Sequence, residues 1–213
     1  MIPRTLFTEE HHLFRSAVKD FFQKEIVPFH NQWEENGHIS RETWRKTGEA
    51  GFLCTAMPEQ YGGSNSDFLY SVILMEELSK TGCTGPGFAL HSDIVAPYIL
   101  HYGTEDQKKK WLPKLANAEA IGAIAMSEPA AGSDLQNIKT TAIKKSANYV
   151  VNGSKTFITN GLMSDLVIVA VKTDSAAGHQ GISLLLMDTA MKGFTKGKLL
   201  KKIGMKAQDT CEL

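Results

Sequence analysis

The pattern of apolar residues changes near residue 119, and this change limits what the chain can fold into. Before it, apolar side chains recur at helical spacing, as at Phe14, Val18 and Phe22, which predicts helices with one buried face. After it, short apolar segments rich in Val, Ile and Thr alternate with turn residues, which predicts strands. The sequence therefore predicts an α+β chain, with an all-α N-terminal helical domain (residues 1–118) followed by an antiparallel β-barrel-like middle domain (residues 119–213).

Local signals mark the limits of several predicted helices. Ser40 can cap the start of a helix, and Thr104, followed three residues later by Gln107, fits a capping box. A further helix is predicted over about residues 88–102. Pro97 would interrupt or kink that helix, because proline lacks the N–H that a helix interior uses.

Five apolar segments predict strands in the second part, at residues 121–126, 149–151, 157–158, 166–171 and 182–187. Asn152-Gly153 stands between residues 149–151 and 155–157, and this dipeptide is a strong signal for a β-hairpin. The last residues, from Thr210 to Leu213, read as the interior of another strand. This ending predicts a truncated middle domain, and the alternative is a final edge strand.

The composition excludes several classes of protein. The 213 residues include 23 Lys and Arg and 23 Asp and Glu, whereas a nucleic-acid-binding protein normally carries a basic excess. The three cysteines lack metal-ligand spacing and predict a reducing compartment. No apolar run approaches the roughly 20 residues of a membrane span, and the N-terminus lacks the apolar core of a signal peptide. We therefore expect a soluble intracellular protein with no nucleic-acid partner, no membrane span and no metal site.

Familiar catalytic motifs do not occur in the sequence. There is no Gly-x-Ser-x-Gly elbow, no Walker loop and no His-Glu-x-x-His motif. His11 and His12, at a predicted helix start, are interpreted as solvated rather than as metal ligands.

One loop carries polar groups that could hold a cofactor. The residues from Ala125 to Asp134 follow an apolar run and include Pro129, Gly132 and Ser133, which predicts a strand that leads into an ordered loop. Exposed N–H groups and hydroxyls on such a loop suit a polar cofactor edge or a phosphate. An ordinary turn between strands fits the composition equally well.

A second stretch, residues 155–161, combines an aromatic ring with a hydroxyl. Side chains two apart on a strand share a face, so Phe157 and Thr159 could give a flat apolar wall and a hydrogen-bond donor. An isoalloxazine ring needs both a surface to lie against and donors at its polar edge. The alternative is a core Phe beside a surface Thr.

Taken together, the two stretches resemble the acyl-CoA dehydrogenase family. The motifs are Ala-Met-Ser-Glu-Pro-x-x-Gly-Ser-Asp from Ala125 and Asn-Gly-x-Lys-x-x-Ile-Thr-Asn-Gly from Asn152. The Pro-Glu-x-x-Gly-Gly loop at residues 58–63 and the Gly-Thr-x-x-Gln-Lys segment at residues 103–108 resemble the same family. Residues 203–213 are similar to its long-chain branch. The resemblance extends along the whole chain.

The resemblance implies a fold of three parts, of which this chain holds the N-terminal and middle domains and lacks the C-terminal helical bundle. FAD would lie between the middle domain and that bundle. The matching positions imply FAD contacts at Ile124, Ala125, Met126, Ser127, Glu128, Pro129, Ala130, Ala131, Gly132, Ser133, Phe157, Ile158 and Thr159. Acyl-CoA would contact Ser133, His179 and Gln180. The family often has Thr at the position of Ser127 and Trp at that of Phe157, so the hydroxyl is kept and the aromatic wall is smaller.

The implied reaction is the α,β-dehydrogenation of acyl-CoA thioesters in fatty acid β-oxidation. A carboxylate removes the α-proton while the β-hydride passes to FAD, and an electron-transferring flavoprotein then takes the electrons. In this branch the base is a Glu in the absent bundle, so no catalytic residue is assigned here, and Glu128 is a poor candidate. The family implies a homotetramer.

Two other interpretations remain open. The chain could be an inactive truncated module that binds a cofactor or partner, or part of a related acyl-CoA oxidase that uses oxygen. The plain Met start favours the cytoplasm of a bacterium as the location, and the mitochondrial matrix is the alternative in a eukaryote.

Overall fold

The computed structural model describes residues 4–213 and divides the chain into two compact units. The first unit runs up to Ala120 and also includes Lys202–Gln208; the second comprises Ile121–Lys201 and Asp209–Leu213. Within residues 4–213, six α-helices in the first unit are followed by seven strands in the second: α1 Glu9–Glu25, α2 His30–Asn36, α3 Arg41–Glu49, α4 Phe68–Thr81, α5 Ala96–Tyr102, α6 Glu105–Ala116, β1 Gly122–Ala125, β2 Thr141–Lys145, β3 Asn148–Asn152, β4 Ile158–Thr159, β5 Leu166–Lys172, β6 Ile182–Asp188 and β7 Thr210–Cys211. The predicted α+β class is confirmed.

Side-chain caps begin the helices where the sequence predicts them. The Ser40 hydroxyl accepts a hydrogen bond from the Thr43 N–H at 3.1 Å and caps α3. Thr104 and Gln107 form the predicted capping box of α6. Because each cap satisfies an N–H that the helix itself cannot pair, these boundaries follow from local sequence.

His11 is buried, so the prediction that it is solvated is wrong. The residue is only 5% exposed, and its Nδ1 accepts a hydrogen bond from the Thr8 N–H in a capping box at the start of α1. His12, the next residue, is exposed as predicted. A histidine at the third helical position can replace the usual Glu or Gln of a capping box because its ring nitrogen is also an acceptor.

The helix predicted over residues 88–102 is continuous, but its middle is wider than an α-helix. Leu90–Val95 form a π-helical turn, after which the Ala96 N–H donates to the His91 carbonyl five residues earlier. Pro97 then lies in the first turn of α5, where a missing N–H costs least. The wide turn accommodates the proline without ending the helix.

Strand β5 lies at the centre of the second unit. It pairs in parallel with β1, from Gly122↔Leu166 to Ala125↔Val169, and antiparallel with β6 along its full length. β2 and β3 form an antiparallel hairpin that meets β5 at Thr141↔Lys172. β4 and β7 pair separately, in antiparallel orientation. The sheet is therefore mostly antiparallel, with a parallel β1–β5 pair that the sequence did not predict.

The hairpin predicted at Asn152-Gly153 is wrong. β3 forms a hairpin with the preceding strand, β2, through the turn at Ser146. The residues after Gly153 instead pair with the end of the chain, where the Lys155 N–H donates to the Leu213 carbonyl at 2.8 Å. At Gly153 a Cβ would lie 2.2 Å from the Thr140 hydroxyl. Glycine is therefore needed at this position because the backbone passes close to Thr140, and not because the chain makes a tight turn.

Apolar side chains cover both faces of β5. On one face, Val167, Val169 and Val171 pack with alanines of β1 and β2. On the other, Ala170 packs with Ile138 and with other residues of the segment between β1 and β2. Strand β5 is therefore buried up to its last residue, and it fixes the position of β1 and of the loop that follows it.

Candidate functional site

The two stretches singled out in the sequence lie side by side. The Thr156 N–H donates to the Ser127 carbonyl at 2.9 Å, and the Asn160 side-chain amide donates to the Gly122 carbonyl at 3.3 Å. Thr156 is paired with Ser127, whereas the later residue Asn160 is paired with the earlier residue Gly122. The two segments therefore run antiparallel. The loop after β1 and strand β4 are therefore neighbours.

A tight turn follows Ser127. The Glu128 N–H donates to the Ala131 carbonyl at 2.9 Å, and the Ala131 N–H donates back to the Glu128 carbonyl at 3.1 Å. Pro129 and Ala130 form the exposed corner of this turn, where proline needs no N–H partner. The turn fixes the backbone directly after Ser127.

The Glu128 side chain points into the unit and is saturated with hydrogen bonds. It accepts from the Thr140 hydroxyl at 2.5 Å and N–H at 3.0 Å, from the Lys139 N–H at 2.5 Å, and from the Lys155 ammonium at 2.9 Å. Burial alone would raise the pKa of this carboxyl, but these hydrogen bonds outweigh it and lower the pKa of Glu128 to about 2. Glu128 is therefore a structural anchor and unsuited to act as a base near neutral pH.

The predicted FAD contacts divide by accessibility. The side chains of Ala125, Glu128, Ala131 and Ile158 are buried. The remaining nine are accessible to some degree, and these are Ile124, Met126, Ser127, Pro129, Ala130, Gly132, Ser133, Phe157 and Thr159. The accessible members define the surface on which a ligand could lie.

Two accessible residues carry hydrogen-bonding groups that no described residue satisfies. Between residues 4 and 213, the Ser127 N–H and hydroxyl and the Thr159 hydroxyl form no hydrogen bond. An ordered surface with unused donors can bind the acceptor atoms of a ligand. The nitrogen and oxygen atoms at the polar edge of an isoalloxazine are such acceptors, so these residues fit the group that the sequence predicts.

Phe157 presents an exposed aromatic ring, but not from the strand position that the sequence predicts. β4 begins only at Ile158, and Phe157 has a left-handed backbone with φ +59°. The argument that Phe157 and Thr159 share a strand face is therefore wrong. Phe157 is 70% exposed, and strained backbone conformations of this kind cluster at ligand sites.

The candidate substrate residues lie on two loops. Ser133 is exposed in the loop after β1, and His179 and Gln180 are exposed in a 3₁₀ turn, Gly178–Gly181, between β5 and β6. Because β1 and β5 run parallel, the loops that follow them leave the same edge of the sheet. The candidate substrate residues therefore belong to two loops that leave the sheet at the same end.

A cavity of about 350 Å³ also occurs in the second unit. Val151, Met187, Phe194 and Leu213 contribute to its lining, and Ala125 is the one predicted FAD contact that reaches it. The accessible surface around Ser127 and Thr159 is therefore separate from this cavity.

Sequence reasoning missed the roles of Lys155 and Thr140. Lys155 is 3% exposed, and its ammonium donates to the Met126 carbonyl as well as to Glu128. Its place in the Asn-Gly-x-Lys motif was a signal, but only the fold shows that its side chain turns inward. Thr140 lies outside every motif, and no local pattern could have identified it.

Comparison with known proteins identifies the family. Residues 8–119 match the family model of the acyl-CoA dehydrogenase N-terminal domain, and residues 123–213 match that of the middle domain. The long-chain specific acyl-CoA dehydrogenase of rat mitochondria is 50% identical over 212 residues, which are 99% of this chain and 49% of that protein. The chain thus spans about half the length of the curated relatives that it matches.

Solved structures agree with this match. An acyl-CoA dehydrogenase from Geobacillus kaustophilus superposes with a TM-score of 0.95 at 54% identity, covering 99% of this chain and 56% of that one. A glutaryl-CoA dehydrogenase from Mycobacterium smegmatis, solved in complex with FADH2, has a TM-score of 0.86 at 28% identity, covering 97% and 52%. The resemblance seen in the sequence is confirmed, and the chain belongs to the acyl-CoA dehydrogenase family.

Proposed function

We propose that this chain supplies the N-terminal and flavin-contacting parts of an FAD-dependent enzyme that desaturates acyl-CoA thioesters between the α and β carbons. One observation carries the proposal: the unused donors of Ser127 and Thr159 lie on adjacent antiparallel segments, next to the exposed ring of Phe157. Membership of the acyl-CoA dehydrogenase family supports the same reaction.

Each accessible residue has a role in this proposal. The Ser127 N–H and hydroxyl and the Thr159 hydroxyl donate hydrogen bonds to acceptors along the isoalloxazine edge, and the Phe157 ring lies against it. FAD held by these residues would supply the acceptor for the hydride that leaves the β carbon of the substrate. Ser133 contacts the acyl-CoA, and we place His179 and Gln180 at the same edge of the sheet as further substrate contacts.

The catalytic base belongs to the part of the enzyme that this chain does not cover. Glu128 is the one carboxylate among the predicted FAD contacts, and its pKa of about 2, together with its four donors, removes it as a base. A base that abstracts an α-proton must be accessible and must have a pKa nearer to the working pH. We propose a Glu from the C-terminal helical bundle for this role.

The resemblance also supports finer proposals. We propose that the complete enzyme is a homotetramer that acts in fatty acid β-oxidation and passes its electrons to an electron-transferring flavoprotein. None of the helices between residues 4 and 213 has the length and apolar character that a bilayer crossing requires. We propose the cytoplasm if the source is bacterial and the mitochondrial matrix if it is eukaryotic.

An absorbance experiment tests the reaction. The protein expressed from its complete reading frame is purified, its flavin spectrum is recorded, and acyl-CoA thioesters of short, medium and long chain are added without oxygen. We expect a bound flavin whose visible band is bleached by at least one thioester. No bleaching with any chain length would refute dehydrogenation, and rapid peroxide formation in air would identify an oxidase instead. The 213-residue chain, measured in parallel, tests whether it is an inactive module.

A further inference from the structure

Lys155 carries a buried ammonium between the backbone and a carboxylate. Its Nζ lies 2.9 Å from the Met126 carbonyl and 2.9 Å from Glu128 Oε1, and the residue is 3% exposed. A buried ion pair of this kind is costly, because two charges lose their hydration, and apolar replacements are often as stable. The stability of the fold alone therefore does not require a lysine at this position.

The hydrogen bond to Met126 determines where the Ser127 N–H points. In a planar trans peptide, the C=O of one residue and the N–H of the next lie on opposite sides of the chain. Because Lys155 draws the Met126 C=O towards the interior, the N–H of the same peptide group, which belongs to Ser127, is directed away from it. That N–H has no partner among residues 4–213.

A second contact fixes the next peptide group. The Thr156 N–H, one residue after Lys155, donates to the Ser127 carbonyl at 2.9 Å. Ser127 is therefore held on both sides by neighbouring residues of one segment. Glu128, directly after Ser127, in turn holds the Lys155 ammonium and is itself fixed by Thr140 and Lys139.

We propose that Lys155 is a positioning residue for the cofactor: anchored by Glu128, its ammonium orients the Met126–Ser127 peptide group so that the Ser127 N–H is presented to the flavin. This inference rests on the proposed function, because it takes FAD as the ligand of that N–H. It assigns to the buried pair a role in ligand binding in addition to its contribution to folding.

A double variant separates positioning from stability. Lys155→Met alone leaves Glu128 as an unpaired buried charge and is expected to destabilise the fold. Lys155→Met combined with Glu128→Gln removes both charges, and we expect its melting temperature to return close to the wild-type value. Its affinity for FAD, measured by fluorescence titration of apoprotein from the complete reading frame, is expected to stay at least about tenfold weaker. Lys144→Met, on the exposed part of β2, is the matched control and should change neither value.

Hydrogen exchange gives a readout that does not require flavin. In the apoprotein of the double variant, the Thr156 amide should exchange faster than in the wild type, because it binds the Ser127 carbonyl and the adjoining Met126–Ser127 peptide group is no longer held by Lys155. A double variant that recovers both stability and wild-type FAD affinity would overturn the positioning role, as would an unchanged Thr156 exchange rate. If wild-type protein takes up no FAD, the proposed function fails, whereas the exchange rate still decides whether Lys155 holds this peptide group.

Discussion

The guanidinium of Arg15 lies 2.6 Å from the carboxylate of Glu77 and joins α1 to α4. Glu77 is nearly buried, with a side chain 5% exposed, and Arg15 is 19% exposed. Burial raises the pKa of Glu77, but hydrogen bonds from Lys80 and Arg15 outweigh it and lower the pKa overall. The carboxylate therefore depends on its cationic partners.

Removing the Arg15 charge should therefore destabilise the first unit. We expect Arg15→Met to cost about 2–3 kcal/mol of unfolding free energy, because Glu77 keeps a buried charge with fewer partners. Urea denaturation at pH 7 measures this loss. Arg45→Met is the control, since Arg45 pairs with glutamates on the surface and should cost clearly less unfolding free energy than Arg15→Met. Equal losses in the two variants would contradict the prediction.

Glu128→Gln should show a stability loss that depends on pH. The folded-state pKa of Glu128 is about 2, against an ordinary value of 4.5. This group therefore stabilises the fold above pH 4.5, and its contribution, on the order of 3 kcal/mol at most, is lost as the pH falls towards 2. We expect the difference between variant and wild type to be large at pH 7 and smaller at pH 3. Denaturant unfolding at several pH values measures it, and a difference independent of pH would refute this account.

Gly153→Ala should disturb the anchor of Glu128. The added Cβ would lie 2.2 Å from the Thr140 hydroxyl and 2.7 Å from its Cα, so the backbone has to move. We expect a loss of about 1–3 kcal/mol in denaturant unfolding, as for other overpacked sites. Gly204→Ala, where nothing lies within 4 Å of the new Cβ, should be neutral. A neutral Gly153→Ala would show that the chain relaxes there without cost.

The variant Phe157→Gly should be more stable than the variant Phe157→Ala. Its φ of +59° disfavours any side chain with a Cβ, by roughly 1–2 kcal/mol, and its exposed ring contributes little packing. We expect Phe157→Gly to exceed Phe157→Ala in unfolding free energy by about 1 kcal/mol, the reverse of the usual order. Both variants should bind FAD more weakly than wild type in the same titration. A more stable Phe157→Ala would mean that the conformation changes after substitution.

Local chemistry predicted the features that depend on neighbouring residues. The Ser40 cap and the Thr104–Gln107 capping box were correct because a hydroxyl and an unpaired N–H three residues away are sufficient to define them. His11 was misjudged because its burial depends on packing against residues of other elements, such as the Tyr70 ring at 4.7 Å. Exposure of a lone histidine cannot be read from its neighbours in sequence.

The second unit was predicted less completely because its pairings are not local. Asn152-Gly153 is a good hairpin signal, but the approach to Thr140 and the pairing of Lys155 with Leu213 override it. Motif resemblance brought the segments around Ser127 and Phe157 together, and the structure places the two segments side by side. The resemblance could not reveal that Lys155 links the two segments from the interior, because the direction in which a side chain points is known only from the folded structure.

The wide turn at Leu90–Val95 has a consequence for the way this helix can change in evolution. A π turn is equivalent to one extra residue accommodated within an α-helix. Losing one residue there would leave a regular helix, and the residues after it would keep their orientation, because the wide turn already absorbs the roughly 100° that one residue contributes. Ile99, 3% exposed, and Tyr102, 81% exposed, would still face as they do. A single-residue deletion at this position would therefore preserve inside and outside for the whole of α5, whereas a deletion within α5 itself would rotate the residues that follow it.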